Sequence, residues 1–394
     1  LYNLEISSAD ATLPYTQNFT HLTLVPFLHA SGELKTKPTQ HSVKMLLEEG
    51  IQPDVLVLRT EHPLTEDLRR KVALFCNVEA GAVVESIDVS TIYEVPLRMQ
   101  KEMLDQTVLR KLGLPVGEEP LLAEWKEFLH KLKNPSHRLK VALVGKYVEL
   151  HDAYMSVREA LKHAALHQGV ELNLHWIHSV DLENGNPEKI LSGADGIIVP
   201  GGFGSRGIEG KIIAAKYARE NKVPYFGLCL GMQLMVIEFA RHFMGDITAN
   251  STEFNSATTM PVIDLMLDQH NVTDLGGTMR LGLYPCHLQE NTIAAAAYQT
   301  PVVEERHRHR YEFNNAYRDS LAKHGLVYSG ISPDGKLVEI SELRDHPFML
   351  GTQFHPEFLS RPNRPHPLFS KFIEAAAKKA GIPGGHPLLD FDQG

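Results

Sequence analysis

Cysteine, long apolar runs and net positive charge are all scarce in this sequence. Three cysteines in 394 residues, Cys76, Cys229 and Cys286, are too few and too far apart for a disulfide scaffold or a zinc ribbon. No apolar run approaches the ~20 residues of a membrane span, and no signal-peptide pattern opens the chain. The formal net charge of −9 gives no global basic field for nucleic acid. We therefore expect a cytoplasmic protein that binds neither membrane nor nucleic acid.

The overall composition is that of an ordinary globular protein. Hydrophobic residues make up 43% of the chain and charged residues 22%, a balance that excludes disorder for most of its length. At about 150 residues per domain, 394 residues favour two or three domains.

Short apolar segments alternate with segments of helical spacing from residue 20 onward, which is typical of α/β proteins with a parallel sheet. Two such series are present, and Asp152 is the expected N-cap of the first helix of the second series. We predict strands at residues 20–27, 54–59, 72–75, 140–145, 172–177, 196–199, 225–228, 277–283, 326–329, 337–341 and 348–354, and helices at 42–49, 65–70, 96–112, 152–167, 211–220, 230–243 and 368–379.

The two series predict two α/β domains, residues 1–112 and 139–381. The stretch between them, 113–138, contains three prolines around one amphipathic segment at 121–132, and we interpret it as an interdomain connector. A peripheral helix of the first domain is the alternative. The Gly/Pro-rich residues 382–394 are expected to form a loose tail.

Cys229 is the candidate nucleophile. It lies at the centre of the sequence GLCLG, between a predicted strand and a predicted helix, as in a nucleophile elbow with Cys in place of Ser. The glycines permit a sharp turn and leave room for a substrate at the sulfur. The helix N-terminus favours the thiolate, and the Leu230 amide is placed to donate to an oxyanion. A buried Cys at a strand end is the alternative interpretation.

His355 and Glu357 are the candidate base and its orienting carboxylate. They follow the predicted strand 348–354, so the imidazole can reach the crevice at the carboxyl edge of the sheet. Glu357 can then hold the other ring nitrogen. A solvated surface histidine is the alternative in a chain with 21 His, but the Cys elbow upstream argues against it.

The sequence PGGFG at residues 200–204 follows another predicted strand. Consecutive glycines let backbone N–H groups point at a developing negative charge, so we expect this loop to supply a second oxyanion donor. A phosphate-binding loop is the rival interpretation, and it is weakened because no Gly-Lys-Ser/Thr follows.

These three motifs resemble those of class I, triad-type glutamine amidotransferases. More specific segments are similar to the CTP synthase family over about residues 20–380: NSTEF at 250–254, LGGTMRLG at 275–282, ERHRHRYE at 305–312 and SGELKTKPTQHS at 31–42. The resemblance implies a flavodoxin-like, mixed-sheet glutamine amidotransferase type 1 domain at 139–381. It also implies that residues 1–112 are the C-terminal part of an incomplete Rossmann-like, P-loop-type amidoligase (synthetase) domain.

The resemblance further implies a reaction in two halves, catalysed by a ligase of pyrimidine nucleotide biosynthesis. One domain hydrolyses glutamine to glutamate and ammonia through a thioester. The other uses ATP and Mg²⁺ to phosphorylate the 4-oxygen of UTP, and ammonia arriving by an internal route displaces the phosphate to give CTP. Activation by GTP, inhibition by CTP and a homotetramer are also implied.

Roles in the glutaminase half follow from the resemblance residue by residue. Cys229 is then the nucleophile, His355 the base and Glu357 its orienter. The implied glutamine contacts are Gly202, Leu230, Gly231, Met232, Gln233, Glu253 and Arg310. A carboxylate and a guanidinium suit the two charges of an amino acid.

Arginine and histidine alternate along residues 306–310. In a strand, the three arginines would lie on one face and His307 and His309 on the other. A metal site through these two histidines is the rival interpretation, and the flanking arginines argue against it.

Roles in the synthetase half also follow from the resemblance. The loop at residues 35–40 offers two lysines, a Thr hydroxyl and a Gln amide, which suit a polyphosphate. Taken alone, a loop of this composition is more often a solvated turn. The implied UTP/CTP contacts are Lys35, Thr36, Lys37, Pro38, Thr39, Gln40 and Lys71, and Ile87, Asp88 and Val89 match a segment near the ATP base.

The family's Gly-rich phosphate loop and acidic magnesium ligands have no counterpart in these residues, so no metal ligand is assigned within the chain. Only about the last third of the synthetase domain is matched, and residues 1–19 match poorly. Two other functions stay open. A stand-alone glutaminase or γ-glutamyl hydrolase would need no nucleotide loop, and a non-catalytic polymer-forming or regulatory protein would be expected to lose part of the triad.

Overall fold

The computed structural model of the chain describes residues 17–118, 122–202, 204–265 and 279–383. The chain divides into two units, residues 1–129 and 130–394, and the division falls inside the predicted connector. Most of segment 1–19, the first four residues of the LGGTMRLG motif, Phe203 of the PGGFG loop, the start of the predicted helix 121–132 and the tail from residue 384 lie outside the described residues.

The first unit is built on a parallel three-stranded sheet. The strands of this unit are β1 (Thr20–Leu24), β2 (Phe27–Leu28), β3 (Glu33–Leu34), β4 (Val55–Thr60) and β5 (Val83–Ile87). Its helices are α1 (Lys37–Glu48), α2 (Glu66–Cys76), α3 (Val95–Lys101), α4 (Leu104–Lys111) and α5 (Ala123–Lys133). The boundary between the two units falls within α5. The sheet order is β1-β4-β5. Helices α1 and α2 contribute buried apolar residues to the core on one face, and α3 and α4 pack on the other face.

The predicted strand at 72–75 is wrong, because these residues belong to α2. Val72, Ala73 and Cys76 are buried on one side of the helix, whereas Leu74 and Phe75 are 79% and 63% exposed. A four-residue apolar run cannot by itself be distinguished from the buried side of a helix. The third strand of the sheet is instead β5, which the sequence patterns did not identify.

The second unit alternates strands and helices before a run of mostly antiparallel strands. Its strands are β6 (His137–Gly145), β7 (Val170–His178), β8 (Gly196–Val199), β9 (Tyr225–Leu228), β10 (Ala249–Ser251), β11 (Met260–Leu265), β12 (Arg280–Leu288), β13 (Val302–His309), β14 (Tyr311–Phe313), β15 (Leu326–Ile331), β16 (Val338–Leu343) and β17 (Met349–Thr352). Its helices are α6 (Met155–His167), α7 (Ser179–Asn184), α8 (Pro187–Leu191), α9 (Ile208–Glu220), α10 (Leu230–Met244), α11 (Ile293–Tyr298), α12 (Arg318–Ala322) and α13 (Pro367–Lys379).

A nine-stranded mixed sheet organises this unit, in the order β13-β12-β15-β16-β17-β9-β8-β6-β7. The strands from β17 to β7 are parallel, and those from β13 to β17 are antiparallel. Helices α6 and α13 bury their apolar sides against one face, and α9 and α10 against the other. The expected mixed-sheet α/β architecture is confirmed.

Asp152 is not the N-cap of α6. It lies in a 3₁₀ turn, His151–Tyr154, and Tyr154 occupies the N-cap position without a side-chain cap. The Tyr154 hydroxyl accepts hydrogen bonds from the amides of Lys146 and Tyr147, at 2.9 and 3.2 Å, which holds this turn against the end of β6.

Every helix in the described ranges is too short or too polar to cross a bilayer.

Candidate active site

Three neighbouring parallel strands of the second unit end at the same edge of the sheet. They lie in the order β17-β9-β8, and each leads directly into one of the predicted site segments. The end of β8 leads to the 200–204 loop, that of β9 to Cys229, and that of β17 to Gln353 and His355. The parallel pairing therefore brings together residues that are up to 155 positions apart.

Cys229 occupies a sharp turn between β9 and α10. Its backbone has φ 52° and ψ −104°, a conformation that a residue with a side chain adopts at a cost of about 1–3 kcal/mol. A Cβ atom placed on Gly231 would lie 2.0 Å from the Val199 carbonyl oxygen, so only glycine fits there. The predicted nucleophile elbow thus has its expected local geometry.

The Cys229 sulfur is surrounded by polar groups although the residue is only 8% exposed. The Gln353 amide donates to Sγ at 3.6 Å, and the Arg308 carbonyl oxygen lies 4.0 Å from it. Gln353 is itself held by Gln233, whose Nε2 donates to its Oε1 at 3.1 Å. The fully buried Gln353 was missed as a site residue, although its position two residues before His355 was a usable signal.

His355 is held between Cys229 and Glu357. Its Nδ1 lies 2.8 Å from Glu357 Oε1, and its backbone N–H donates to the Arg306 carbonyl at 2.8 Å. Glu357 follows in a short 3₁₀ turn, Pro356–Phe358, and is buried. Each of the three predicted triad residues therefore has the neighbour that its predicted role requires.

The electrostatics of this group favour a protonated His355. Burial alone would lower the pKa of His355, but the Cys229 sulfur and the Glu357 carboxylate together raise it to about 11. At neutral pH the imidazole beside the Cys229 sulfur is then protonated. A thiolate is the nucleophilic form of cysteine, and an imidazolium can serve as an acid.

Gly201, in the loop after β8, lies directly against Cys229 and His355. A Cβ atom placed on Gly201 would lie 3.2 Å from His355 Cε1 and 3.6 Å from Cys229 Cβ. At the start of α10, the first N–H groups have no intrahelical acceptor, and Leu230 is the first residue of that helix. Both segments adjoin Cys229, so their backbone N–H groups are the candidate donors of the predicted oxyanion hole.

Glu253 lies beside this loop, and Arg310 lies close enough to Glu253 to affect its pKa. Glu253 Oε1 accepts the Gly204 N–H at 3.4 Å. Burial raises the pKa of Glu253, while the Gly204 N–H and the positive charges of Arg310 and Lys146 oppose that rise.

Another predicted glutamine contact, Met232, has its side chain fully buried in the core beside Gly351. This residue therefore offers a ligand only its backbone.

The predicted alternation is confirmed over residues 306–309 in β13, which ends one residue before Arg310. His307 and His309 are buried, and Arg306 and Arg308 are exposed. The two imidazoles contact each other at 2.9 Å, and burial lowers the pKa of His307 to about 2 and that of His309 to about 3. Within the described ranges, no group of three or more His, Cys, Asp or Glu could hold a metal ion.

A buried ion pair and a buried lysine in this unit were also missed. Arg280 contacts Glu339 at 2.6 Å, and both side chains are at most 8% exposed. Lys211 in α9 is 1% exposed, and its ammonium donates to the Pro200 carbonyl at 3.3 Å. Lys211 occurs three residues after Ile208 and four before Ala215, so its place on the apolar side of the helix was readable in the sequence.

The predicted nucleotide loop of the first unit lies at the carboxyl end of β1. Thr36 and Thr39 are buried, and Thr39 Oγ1 donates to the Leu24 carbonyl at 3.2 Å. Gln40 donates to Thr36 Oγ1 at 3.2 Å, and Lys35 forms an ion pair with Glu33. Lys37 and Pro38 are exposed in the first turn of α1, where free N–H groups favour an anion.

The other predicted nucleotide contacts of the first unit are more dispersed. Ile87 ends β5, and the Asp88 N–H donates to the Thr60 carbonyl at 2.9 Å, so residues 87–89 lie at the same edge of the sheet as the loop at 35–40. Asp88 Oδ1 also accepts from Arg59 at 3.0 Å. Lys71 is exposed on α2, and no bond to either segment places it with them.

Comparisons with known proteins agree with this geometry. A family model described as "Glutamine amidotransferase class-I" matches residues 149–375, and one described as "CTP synthase N-terminus" matches residues 9–114. The solved structure of the Trypanosoma brucei CTPS glutaminase domain with bound acivicin is 42% identical, with a TM-score of 0.58 over 61% of this chain and 94% of that one. The mixed sheet with its Cys elbow therefore defines a class I glutamine amidotransferase domain.

Relatives matched over most of the chain narrow the assignment. The CTP synthase of Caldanaerobacter subterraneus subsp. tengcongensis is 58% identical over 91% of this chain and 66% of its own length. That of Dehalococcoides mccartyi is 56% identical over 94% of this chain and 68% of its own length. The chain belongs to the CTP synthase family, and it spans about two thirds of the length of these relatives.

Proposed function

We propose that this chain supplies the glutaminase half and the pyrimidine-nucleotide loop of a glutamine-dependent CTP synthase. The observation that carries the proposal is the contact of Cys229, in its strained turn, with His355, which is in turn paired with Glu357 at 2.8 Å. The proposed place of action is the cytoplasm, where the free cysteines of the described chain would stay reduced.

In the proposed first step, the Cys229 thiolate attacks the side-chain amide carbon of glutamine. The resulting oxyanion accepts hydrogen bonds from the backbone N–H groups of Gly201 or Gly202 and of Leu230. His355 then gives its proton to the leaving nitrogen, ammonia departs, and a glutamyl thioester remains. The neutral imidazole next takes a proton from water, which attacks the thioester and releases glutamate and the thiolate.

Glu253 and Arg310 are the proposed partners of the amino-acid end of glutamine. A carboxylate pairs with the α-ammonium and a guanidinium with the α-carboxylate. Binding of a cation at Glu253 would lower the pKa that burial raises, so the substrate itself would favour the charged form.

In the proposed second half, UTP binds through its triphosphate at residues 35–40, with Lys71 as a further contact. ATP would approach residues 87–89, and CTP would compete with UTP for the same loop. GTP activation, a homotetramer, and the use of Mg²⁺ and ATP are part of the proposal by family membership. The described residues contain no acidic cluster that fits Mg²⁺, so no step is assigned to that ion within them.

The test uses the three cysteines as internal controls. The chain should release glutamate and ammonia from glutamine, and Cys229→Ala should abolish this release. An electrophilic glutamine analogue should label Cys229 and spare the buried Cys76 and Cys286, and glutamine should protect the labelled position. Labelling of the other two cysteines at the same rate, or full activity in Cys229→Ala, would contradict the proposed nucleophile.

Activity of the synthetase half needs a separate test. In a CTP synthase that also carries the complete synthetase domain, Cys229→Ala should retain ammonia-dependent CTP formation, because that half needs only free ammonia. Loss of both activities in a folded variant would contradict the two-site scheme.

A further inference from the structure

Lys211 is a buried cation that the triad mechanism leaves unused. Its side chain is on the apolar side of α9, is 1% exposed, and donates from Nζ to the Pro200 carbonyl at 3.3 Å. Burial lowers the pKa of Lys211 to about 8, the charge of Lys146 acts in the same direction, and that of Cys229 opposes it. A methionine would fill this space without the cost of desolvating an amine, so packing alone does not account for the ammonium.

The loop after β8 lies between Lys211 and the catalytic pair. A Cβ atom on Gly202 would lie 3.6 Å from Lys211 Nζ, and one on Gly201 would lie 3.2 Å from His355 Cε1. The Pro200–Gly201 peptide bond is trans, as are all others in the described residues. Because C=O and N–H point in opposite directions across a trans peptide, a carbonyl turned toward Lys211 turns the Gly201 N–H away from it.

We propose that Lys211 is a positioning residue, whose ammonium holds the Pro200 carbonyl so that the Gly201 N–H faces the oxyanion formed at Cys229. This inference rests on the proposed glutaminase function. The Gly201 donor acts on a charge that exists in the transition state and not in bound glutamine. Losing its alignment should therefore lower kcat and leave the KM for glutamine nearly unchanged.

The experiment compares Lys211→Met, Lys211→Gln and the control Lys216→Met, which removes an exposed lysine from the same helix. Removal of an oxyanion donor costs about 10²–10³ in kcat, so misalignment in Lys211→Met should cost about 10–100-fold, with KM within about threefold. Lys211→Gln keeps an N–H donor and should recover part of the loss. Alkylation of Cys229 by iodoacetamide forms no oxyanion and should stay within about twofold of the parent.

Two outcomes would overturn the inference. The first is an unchanged kcat in Lys211→Met while the parent hydrolyses glutamine. The second is an equal loss of Cys229 alkylation and glutamine hydrolysis, which would mean that Lys211 supports the reactivity of the thiolate or the folding of the protein. The ¹⁵N–¹H signal of Gly201 gives a readout independent of turnover: it should move in Lys211→Met and not in Lys216→Met. If the parent does not hydrolyse glutamine, the proposed function fails, while this signal still decides whether Lys211 orients the peptide.

Discussion

Replacing Glu357 by glutamine should weaken the glutaminase reaction without eliminating it. Glu357 Oε1 accepts from His355 Nδ1 at 2.8 Å, and the carboxylate is buried. A hydrogen bond to a charged group contributes about 1.5–3 kcal/mol, which corresponds to about 10–150-fold in rate. Glutamine keeps an oxygen that can accept from Nδ1, so part of the orientation survives. We expect kcat/KM to fall about 10–100-fold in Glu357→Gln, against about 10³-fold or more in His355→Ala.

The same substitution should change how the site titrates. The Glu357 carboxylate is one of the groups that raise the pKa of His355 to about 11, so Glu357→Gln should lower that pKa. The pKa should stay above the usual 6.5, because the Cys229 sulfur contributes more to the rise. A histidine with a raised pKa stabilises the fold fully below about pH 6.5, and this contribution is lost as pH rises through about 11. The stability difference between parent and variant should therefore shrink as pH approaches that value.

The assay is glutamate release followed from about pH 6 to 11, with His355 titrated by NMR in the same samples. Glu374→Gln, an exposed carboxylate on α13, is the matched control and should match the parent in both measurements. A Glu357→Gln variant as inactive as His355→Ala would show that the carboxylate does more than orient and stabilise the imidazolium. Full activity, or an unchanged His355 titration, would refute the pairing seen here.

Three further predictions concern the turn, the core and the nucleotide loop. Gly231→Ala places a Cβ atom 2.0 Å from the Val199 carbonyl oxygen. Glutamine hydrolysis should therefore fall at least tenfold, and the melting temperature should drop. Parent-like values for both measurements would contradict the close approach. Arg280→Leu leaves Glu339 buried without its partner and should cost about 3–5 kcal/mol in urea unfolding. Burial raises the pKa of Glu339 to about 7 against the opposing charge of Arg280. The loss of stability in Arg280→Leu should therefore grow as pH rises from about 5 to 8, because more of the unpaired Glu339 is then ionised. A pH-independent loss would argue against an ionised Glu339. In a CTP synthase that also carries the complete synthetase domain, Lys37→Ala should raise the KM for UTP and weaken CTP inhibition together. Unchanged UTP affinity would remove the loop at 35–40 from the site.

Local sequence was sufficient to identify the class of the second unit and the segments that meet at its candidate site. The elbow around Cys229, the glycines at 201 and 202 and the His355–Glu357 pair each follow a short apolar strand. Strand ends of this kind are readable because the apolar run and the glycines that end it lie within a few residues. The alternation at 306–309 was predictable for the same reason, since the side chains of a strand alternate between its two faces.

Other features depend on segments that are distant in sequence. The run at 72–75 became helical because α2 buries only one side of it, and nothing within the run encodes that choice. Gln353 meets Cys229, and Arg280 meets Glu339, across 124 and 59 residues. Lys211 carries a charge in the core because α9 packs beneath the loop after β8. Sequence patterns report which residues favour a strand, a turn or a helix, whereas the partner of a buried polar group is set only when the sheet brings distant strand ends to one edge.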